Sequence, residues 1–364
     1  MNPEAEDLSN CLICMGGEKT EVITSVRETL PFALECNIDY FTSVMRELSR
    51  LLPGFDNYTF VFTRDVGELP EKFAGTPLLV PIVMGDEWGR IPAYAESVHA
   101  IFKAPGQHIK IATHTGWPRF NAMALLQYLR VQVKRYPNYW NQKKNIFAIP
   151  YGYYRLPKTD DIRPIMERSI DASFTGSLDH RSNGSLLRRL AKTNKVLSRE
   201  RLVRIVDQWK QGKPYTIDVK LSKSFPKATD EPEFNDYPQI LMDTKICLCP
   251  RGTHLETYRL CEGSYYGCVL IAEEQPDHWF AATSPAIILK DWRELPALLD
   301  ELLADPARLK ALQQASLDYW DSTLAPTNIA GYMSKQLSAM QAKSANDDPA
   351  GAQDAEESPV RKAA

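Results

Sequence analysis

The largest group of residues that could do chemistry surrounds a short apolar run at 245–249. The run ends in the breaker 250–253, and a helical pattern follows at 256–266. In this helix- and strand-breaking segment, the guanidinium of Arg251 can donate two parallel hydrogen bonds to an anion. Gly252 has no side chain, so a ligand can come close to the main chain. The free amides at the start of a helix carry partial positive charge. Together these features predict a site for a diphosphate.

Two further residues of the predicted helix extend this site. Arg259 lies three residues after Glu256 and three before Glu262, which predicts that all three lie near one helix face. We assign Arg251 and Arg259 to phosphate and Glu262 to ribose hydroxyls, because an acidic residue binds the ribose in other nucleotide sites. The alternative is an exposed row of ion pairs, each worth about 0.2–0.5 kcal/mol.

A second loop of the same kind follows the apolar run 170–175. Gly176 and Ser177 leave room for a ligand, and Arg181 adds a positive charge. Connections between strands and helices use the same small residues for turn geometry alone, and that is the alternative role of this loop.

In the first half of the chain, the apolar run 79–84 leads to two adjacent carboxylates, Asp86 and Glu87. A carboxyl group at the end of a strand, partly desolvated by Trp88, would have a raised pKa and could act as a general base. The alternative role is to cap the next turn. His114 follows another predicted strand and is the alternative base.

Alternating strand and helix patterns position these residues. A helical pattern at 38–51 precedes predicted strands at 58–62, 78–84 and 109–112, and a second α/β series starts at 170. This alternation favours two mostly parallel sheets covered by helices. A right-handed crossover through the 256–266 helix would then place the Arg251 loop at the carboxyl end of a strand.

Turn formers and aromatic residues at 150–157, among them Tyr151, Tyr153 and Tyr154, mark the expected boundary between the halves. Tyrosines there could stack on a ligand or pack between domains. The predicted divisions are an N-terminal segment 1–20, a first Rossmann-like domain 21–150, a hinge 151–168, a second Rossmann-like domain 169–325, a return helix 326–342 and a disordered tail 343–364.

Composition excludes several classes of protein. With 364 residues, 44% of them hydrophobic and 24% charged, the chain suits two globular domains and not a disordered or fibrous protein. A net charge of −3 gives no reason to expect a nucleic-acid partner. No apolar run reaches the roughly 20 residues of a membrane span. Seven cysteines, including Cys11 and Cys14, are interpreted as reduced, buried thiols without a metal.

The residues around the Arg251 loop also resemble a known family. The resemblance lies in Ile246-Cys-Leu-Cys-Pro-Arg-Gly252, then Thr257-Tyr-Arg259, Glu262-Gly263 and Gly267-Cys-Val-Leu-Ile271. Over about 237–291 it resembles the donor half of exostosin-type glycosyltransferases, with weaker support at 173–189. Thr257 replaces the usual Ser of that family, and Gly263 replaces the expected Ala.

The resemblance implies a GT-B-like α/β fold, in which two Rossmann-like domains face a cleft and the C-terminal helix returns to the first domain. It implies an inverting, metal-independent transferase without a cofactor, which takes a sugar from a nucleotide donor, commonly a UDP sugar. By the resemblance, Arg251 and Arg259 face the donor phosphates and Glu262 lies beside the ribose. The loop residues complete the predicted donor site: Gly176, Ser177, Arg181, Gly252 and Thr257.

The expected partners follow from the same resemblance. The acceptor would be a glycan or a lipid-linked molecule in polysaccharide or lipopolysaccharide biosynthesis, used by a soluble, bacterial-like, cytoplasmic enzyme whose membrane contact is at most peripheral. Two alternatives stay open: a nucleotide-sugar epimerase of the same architecture, and a non-catalytic module that binds a glycan or nucleotide. A Rossmann dehydrogenase is disfavoured, because no Gly-x-Gly-x-x-Gly opens a first βαβ unit.

Overall fold

The chain folds into two α/β halves, each built on its own sheet. In a computed structural model, the described residues are 8–14, 19–24, 38–86, 89–106, 145–153, 159, 161–177, 194–222, 236–273, 275 and 277–347. The expected strand 109–112 and the candidate site residues Glu87, His114 and Arg181 lie outside these ranges.

The first half contains a six-stranded sheet with the order β2-β1-β3-β4-β5-β6. Its strands are β1 Cys11–Cys14, β2 Thr20–Val22, β3 Thr59–Thr63, β4 Leu79–Met84, β5 Ile101–Ala104 and β6 Ile146–Ala148. Every neighbouring pair is parallel except β1–β2. All residues of β4 are buried, as expected for a parallel strand that is covered on both faces.

The second half contains a five-stranded sheet with the order β11-β10-β9-β7-β8. Its strands are β7 Ile170–Ser177, β8 Ile217–Ser222, β9 Thr244–Cys249, β10 Val269–Ala272 and β11 Ile287–Ile288. All of its pairings are parallel. The strand order reverses between β7 and β9, which makes the crevice between their carboxyl ends the expected ligand site of a doubly wound sheet.

Helices connect and cover the two sheets. They are α1 Ile38–Leu51, α2 Asn194–Trp209, α3 Tyr237–Asp243, α4 Tyr258–Tyr265, α5 Leu295–Leu303, α6 Pro306–Tyr319 and α7 Pro326–Asp347. A π-helical turn, Trp320–Leu324, joins α6 to α7. Among the described residues, none of these helices has both the length and the apolar character that a bilayer crossing demands.

The last helix returns to the first half. It packs against α1, and it buries Ile329, Met333 and Leu337 completely, which lie on one stripe because they are four residues apart. The hydroxyl of Tyr40 on α1 donates to the carbonyl of Leu324 at 2.6 Å. Two Rossmann-like halves with a returning C-terminal helix were predicted, and this GT-B-like fold is confirmed.

Several predicted boundaries need correction. The N-terminal segment 1–20 is not separate, because β1 pairs with β3 inside the first sheet. The tail cannot begin at residue 343, since α7 continues to Asp347. Cys11 is buried and Cys14 is partly exposed. Since side chains alternate along a strand, these two thiols point to opposite faces of β1 and cannot share a metal.

Gly263 in α4 is required by packing. A Cβ atom at this position would lie 2.6 Å from Leu270 Cδ2 and 3.4 Å from Cys247 Cβ. Leu270 and Cys247 are both buried in strands of the second sheet. The departure from the expected Ala therefore lets α4 lie close to the sheet.

We expect Gly263→Ala to lower the free energy of unfolding by about 1 kcal/mol or more, because the cost of overpacking, roughly 1–3 kcal/mol, exceeds the gain in helix propensity. Gly331→Ala in α7 is the matched control: no atom lies within 4 Å of the added Cβ, so this variant should gain about 0.5–1 kcal/mol. Urea denaturation measures both changes. A stabilised Gly263→Ala protein would contradict the packing argument.

Candidate active site

Arg259 lies at the point where the order of the second sheet reverses. Its Nε donates to the carbonyl of Thr175 near the end of β7 at 2.7 Å, and its Nη2 donates to the same oxygen. The guanidinium lies over the ring of Phe174 at 4.9 Å. A Cβ at Gly176 would collide with Arg259 Nη2, so the small residue makes room for this arginine. In the described ranges, Arg259 Nη1 makes no hydrogen bond.

Arg251 lies in the loop that follows β9 and is 1% exposed. Its Nε and Nη2 donate to the carbonyls of Gly252 and Thr253 at 3.3 and 3.1 Å. Its main-chain amide donates to Glu273 Oε2 at 2.9 Å. Both predicted phosphate residues thus lie beside the crevice between β7 and β9, and both are held there by main-chain carbonyls. Their contact with a phosphate stays a prediction.

Arg199 on α2 bridges the same two strand ends. It was not among the predicted site residues. It is 5% exposed, and it donates to the carbonyl of Ser177 at 2.6 Å and to that of Arg251 at 3.2 Å. Glu273, which follows β10, was also missed. It accepts from Ser198 and Trp292 through Oε1 at 2.8 and 3.1 Å. An acid after a strand is the same feature that drew attention to Asp86.

Two buried hydroxyl groups of residues in this part of the fold have no partner among the described residues. Thr175 is 7% exposed and Thr257 is 6% exposed. Within the described part of the chain, neither Oγ1 atom makes a hydrogen bond. Thr257 is the N-cap residue of α4, but its side chain does not cap the helix. A buried polar atom without a partner needs an explanation, and a bound ligand is one.

Gly252 fills the position expected for a close approach of a ligand. The nearest atom to an added Cβ there would be the carbonyl oxygen of His254, at 3.4 Å. Protein packing therefore does not demand a glycine at this position. The prediction that Gly252 makes space for the donor remains a prediction.

Glu262 is buried at 2% exposure. The hydroxyl of Tyr237 donates to its Oε2 at 2.7 Å, and burial followed by the nearby charge of Glu262 raises the pKa of Tyr237. Burial of Glu262 and Glu256 excludes the alternative of an exposed ion-pair row. The expectation that Glu256 shares a helix face with Arg259 is wrong, because α4 begins at Tyr258.

The side chain of Glu256 instead contacts the first half of the chain. Its Oε1 accepts from the amide of Tyr151 at 3.1 Å, and the nearby amide of Gly106 also favours the ionised carboxyl. Glu256 is 5% exposed. Burial raises its pKa to about 8, although the two amides and the charge of Lys103 favour the ionised form. The carboxyl group therefore lies where the two halves meet.

Asp86 does not have the raised pKa that was expected of a general base. Burial alone would raise its pKa, but the charge and hydrogen bond of Lys103, together with Arg90, lower the pKa below its ordinary value. Lys103 Nζ and Arg90 Nε each lie 2.8 Å from a carboxylate oxygen, and the amide of Arg90 donates to Oδ2 at 2.5 Å. Asp86 thus holds the following turn, which was the alternative interpretation.

Lys103 was missed, although it is a single charged residue inside the apolar strand β5 and is 0% exposed. A lysine in such a strand indicates a buried anionic partner. Tyr151 and Tyr153 pack between the halves: Tyr151 lies 4.5 Å from the ring of Tyr258, and Tyr153 lies 5.8 Å from that of Tyr265. Tyr154 lies outside the described residues.

Metal ligands are not clustered in the described ranges, where no group of three or more His, Cys, Asp or Glu side chains is placed to hold an ion. Metal independence stays a prediction.

Part of the chain is similar in sequence to known proteins. Residues 178–325 match the family model "RXYLT1 C-terminal domain". Ribitol-5-phosphate xylosyltransferase 1 of Danio rerio is 25% identical over 206 residues, which cover 52% of this chain and 44% of that protein. The protein of the same name from Mus musculus is 26% identical over 139 residues, covering 34% and 31%. The chain thus spans less than half the length of these relatives.

Two solved structures resemble the whole chain only weakly. The GtfA/B complex gives a TM-score of 0.36 with 13% identity and covers 72% of this chain and 57% of its own. The Staphylococcus aureus MnaA–UDP structure gives 0.38 with 9% identity and covers 82% and 79%. At these scores, neither likeness carries a functional argument.

We expect Asp86→Asn to destabilise the fold by about 3–5 kcal/mol, because it takes the carboxylate away from a fully buried ammonium group. Asp86→Leu combined with Lys103→Met removes both charges and should recover most of that loss. Asp56→Asn, at an exposed position, is the control and should change stability by less than about 0.5 kcal/mol. A small loss from Asp86→Asn, measured in guanidinium, would contradict the anchoring role.

Glu256 should make stability depend on pH. Because its folded pKa of about 8 lies above the ordinary 4.5, its contribution is fully present below pH 4.5 and is lost as the pH rises towards 8. Relative to the parent, Glu256→Gln should gain up to ~1.4 kcal/mol per pH unit over that window. The groups around Glu256 are Lys103, His254, Cys261, Tyr40 and Tyr319.

Urea denaturation at several pH values between 5 and 8.5 measures this difference. Glu68→Gln, at an exposed position, is the control and should run parallel to the parent. Parallel curves for Glu256→Gln as well would show that the buried carboxyl does not titrate in this window.

Proposed function

We propose that the chain is a glycosyltransferase that moves a sugar from a uridine diphosphate donor to a hydroxyl group of a glycan or lipid-linked acceptor. The observation that carries the proposal is the crevice between β7 and β9. Arg251 follows β9, Arg259 donates to the main-chain carbonyl of Thr175 in β7, and among the described residues the hydroxyls of Thr175 and Thr257 have no hydrogen-bond partner. The sugar-transfer activity named for the vertebrate relatives supports the same reaction class.

The electrostatics of the crevice favour a diphosphate. Arg251, Arg259 and Arg199 bring three positive charges to the ends of two neighbouring strands. Thr257 is the N-cap residue of α4, so the partial positive charge of the helix start adds to them. Its hydroxyl and that of Thr175 can each donate to a phosphate oxygen. Glu262 lies farther along α4, and in this proposal its carboxylate accepts hydrogen bonds from the ribose hydroxyl groups.

The reaction is a single displacement. The acceptor oxygen forms a bond to the anomeric carbon, the bond from that carbon to the diphosphate oxygen breaks, and the acceptor's proton passes to a base. The configuration at the anomeric carbon therefore inverts. Negative charge grows on the departing UDP, and the arginines stabilise it in the role that a divalent ion has in other transferases.

The base is Glu87 in this proposal, with His114 as the alternative. Asp86 is not retained, because its two carboxylate oxygens are occupied by Lys103 and Arg90, and a base must be able to reach the acceptor's proton. Glu87→Gln should abolish turnover while UDP binding is unchanged, and an active variant would assign the proton to His114.

The direct test is turnover of a UDP sugar. UDP-xylose is the first donor, since the relatives are named xylosyltransferases; UDP-glucose and UDP-galactose follow, each with a panel of glycan acceptors. Release of UDP that requires an acceptor, and that persists in EDTA, is the expected result. Conversion of the sugar in the absence of an acceptor would indicate an epimerase, and UDP binding without turnover on any acceptor would indicate a binding module.

Arg251→Ala should lower turnover at least ~100-fold, the usual effect of losing one preorganised donor to a leaving group. Arg251 is fully buried, so Arg259→Gln at a partly exposed position provides a second variant in case the first does not fold. Arg204→Ala on the exposed face of α2 is the matched control and should keep full activity.

Circular dichroism and the melting temperature establish whether each arginine variant is folded. Folded Arg251→Ala and Arg259→Gln proteins with activity within a few-fold of the parent would remove the phosphate role from both residues.

A further inference from the structure

Two buried acids lie on either side of Arg259 and face opposite ways. Glu262 faces the second half of the chain, where the hydroxyl of Tyr237 donates to it at 2.7 Å. Glu256 faces the first half, where the amide of Tyr151 donates to it. The two acids next to Arg259 in the sequence therefore have their partners in different halves of the chain.

Glu256 has an oxygen atom for which the described protein supplies no partner. Its Oε1 accepts from Tyr151 at 3.1 Å, whereas Oε2 makes no hydrogen bond in the part of the chain that the structure describes. The residue is 95% buried, since its exposed fraction is 5%. Burying a carboxyl oxygen without a partner is costly, and a ligand hydroxyl would remove that cost.

The surroundings of Glu256 fix its position before a ligand arrives. Its main-chain amide donates to Nδ1 of His254 at 3.2 Å. The ring of His254 lies parallel to that of His278, with 6.4 Å between their centroids. A Cβ at Gly106 would collide with the His278 ring, so this loop of the first half is packed tightly against the second half. A carboxyl group held by both halves is preorganised for recognition.

We propose that Glu256 binds a hydroxyl of the donor sugar and so makes the site prefer a UDP sugar to UDP alone. This inference rests on the proposed function, because it assumes a diphosphate at Arg251 and Arg259. A site that is built to hydrogen-bond a hydroxyl discriminates strongly against a ligand that lacks it. The carboxyl can accept from that hydroxyl when it is ionised and donate to it when it is protonated.

The side from which Glu256 approaches the donor sugar distinguishes this role from that of a general base. In a single displacement, the acceptor and its base approach the anomeric carbon from the side opposite the diphosphate. Glu256 belongs to the same loop as Arg251 and directly precedes Thr257 at the start of α4, so it lies on the diphosphate side of the sugar. In this proposal Glu256 contacts a ring hydroxyl and does not take the acceptor's proton.

The experiment compares the dissociation constants of UDP and UDP-xylose by isothermal titration calorimetry at pH 7. For Glu256→Ala we expect the dissociation constant of UDP to change by less than twofold and that of UDP-xylose to rise at least tenfold. Glu256→Gln, which can still hydrogen-bond a hydroxyl, should show a smaller rise. Glu256→Asp keeps the acid and serves if the other variants do not fold, as judged by their melting temperatures.

Deoxy analogues of the donor identify the hydroxyl. The parent should bind one of the 2-, 3- and 4-deoxy analogues of UDP-xylose at least tenfold more weakly than UDP-xylose, and Glu256→Ala should not distinguish that analogue from UDP-xylose. Equal weakening of UDP and UDP-xylose by Glu256→Ala would show that Glu256 only joins the two halves and would overturn the inference.

Two further outcomes separate the inference from the proposed function. Unchanged affinity for UDP-xylose with lost turnover would make Glu256 a proton-transfer residue, which overturns the inference and leaves the transferase proposal standing. A parent protein that binds neither UDP nor any UDP sugar would overturn the proposed function, and the role of Glu256 with it.

Discussion

The candidate site depends on hydrogen bonds from guanidinium groups to the main-chain carbonyls at the ends of two parallel strands. Arg259 covers the carbonyl of Thr175, and Arg199 joins the carbonyls of Ser177 and Arg251. Exposed carbonyl oxygens would repel an anion at this edge of the sheet. Because cations cover them, the same edge becomes attractive to phosphate, and the arginines are fixed in position before any ligand binds.

A second constraint is the tight contact between the halves. A single apolar core runs from α1 and the first sheet to Cys247, Cys249 and Leu260 of the second half. Glu256 and the packing of His278 on Gly106 lie at the edge of this shared core. The site between the halves is therefore built by both of them, and the geometry at Glu256 follows from how the halves pack.

The sequence predicted the elements better than the side-chain partners. Apolar periodicity and the breaker at 250–253 located β9 and α4 within about two residues, because these signals are local. Strand β1 was missed, since four residues are too short for a pattern. The arginines of the loop and helix were singled out correctly as a group near a strand end, because strand order places such loops together.

Partners distant in the chain could not be predicted in this way. The pairing of Asp86 with Lys103 joins two strands, and that of Glu256 with Tyr151 joins two halves, over separations of 17 and 105 residues. The pKa of a carboxyl depends on such partners, which is why the sequence suggested a raised pKa for Asp86, whereas it is Glu256 whose pKa is raised. A lysine inside an apolar strand was the one local sign of the first pairing.

The return of α7 to the first half also bears on how this protein can be divided. The family match covers 178–325, yet an internal strand of the second sheet, Ile170–Ser177, comes before that stretch, and the helix Pro326–Asp347 comes after it. The matched stretch therefore has different limits from the structural half to which it belongs. A fragment cut at the limits of the match would lose β7, which pairs with both β8 and β9. An exchange of domains between relatives would therefore need cuts outside the matched stretch.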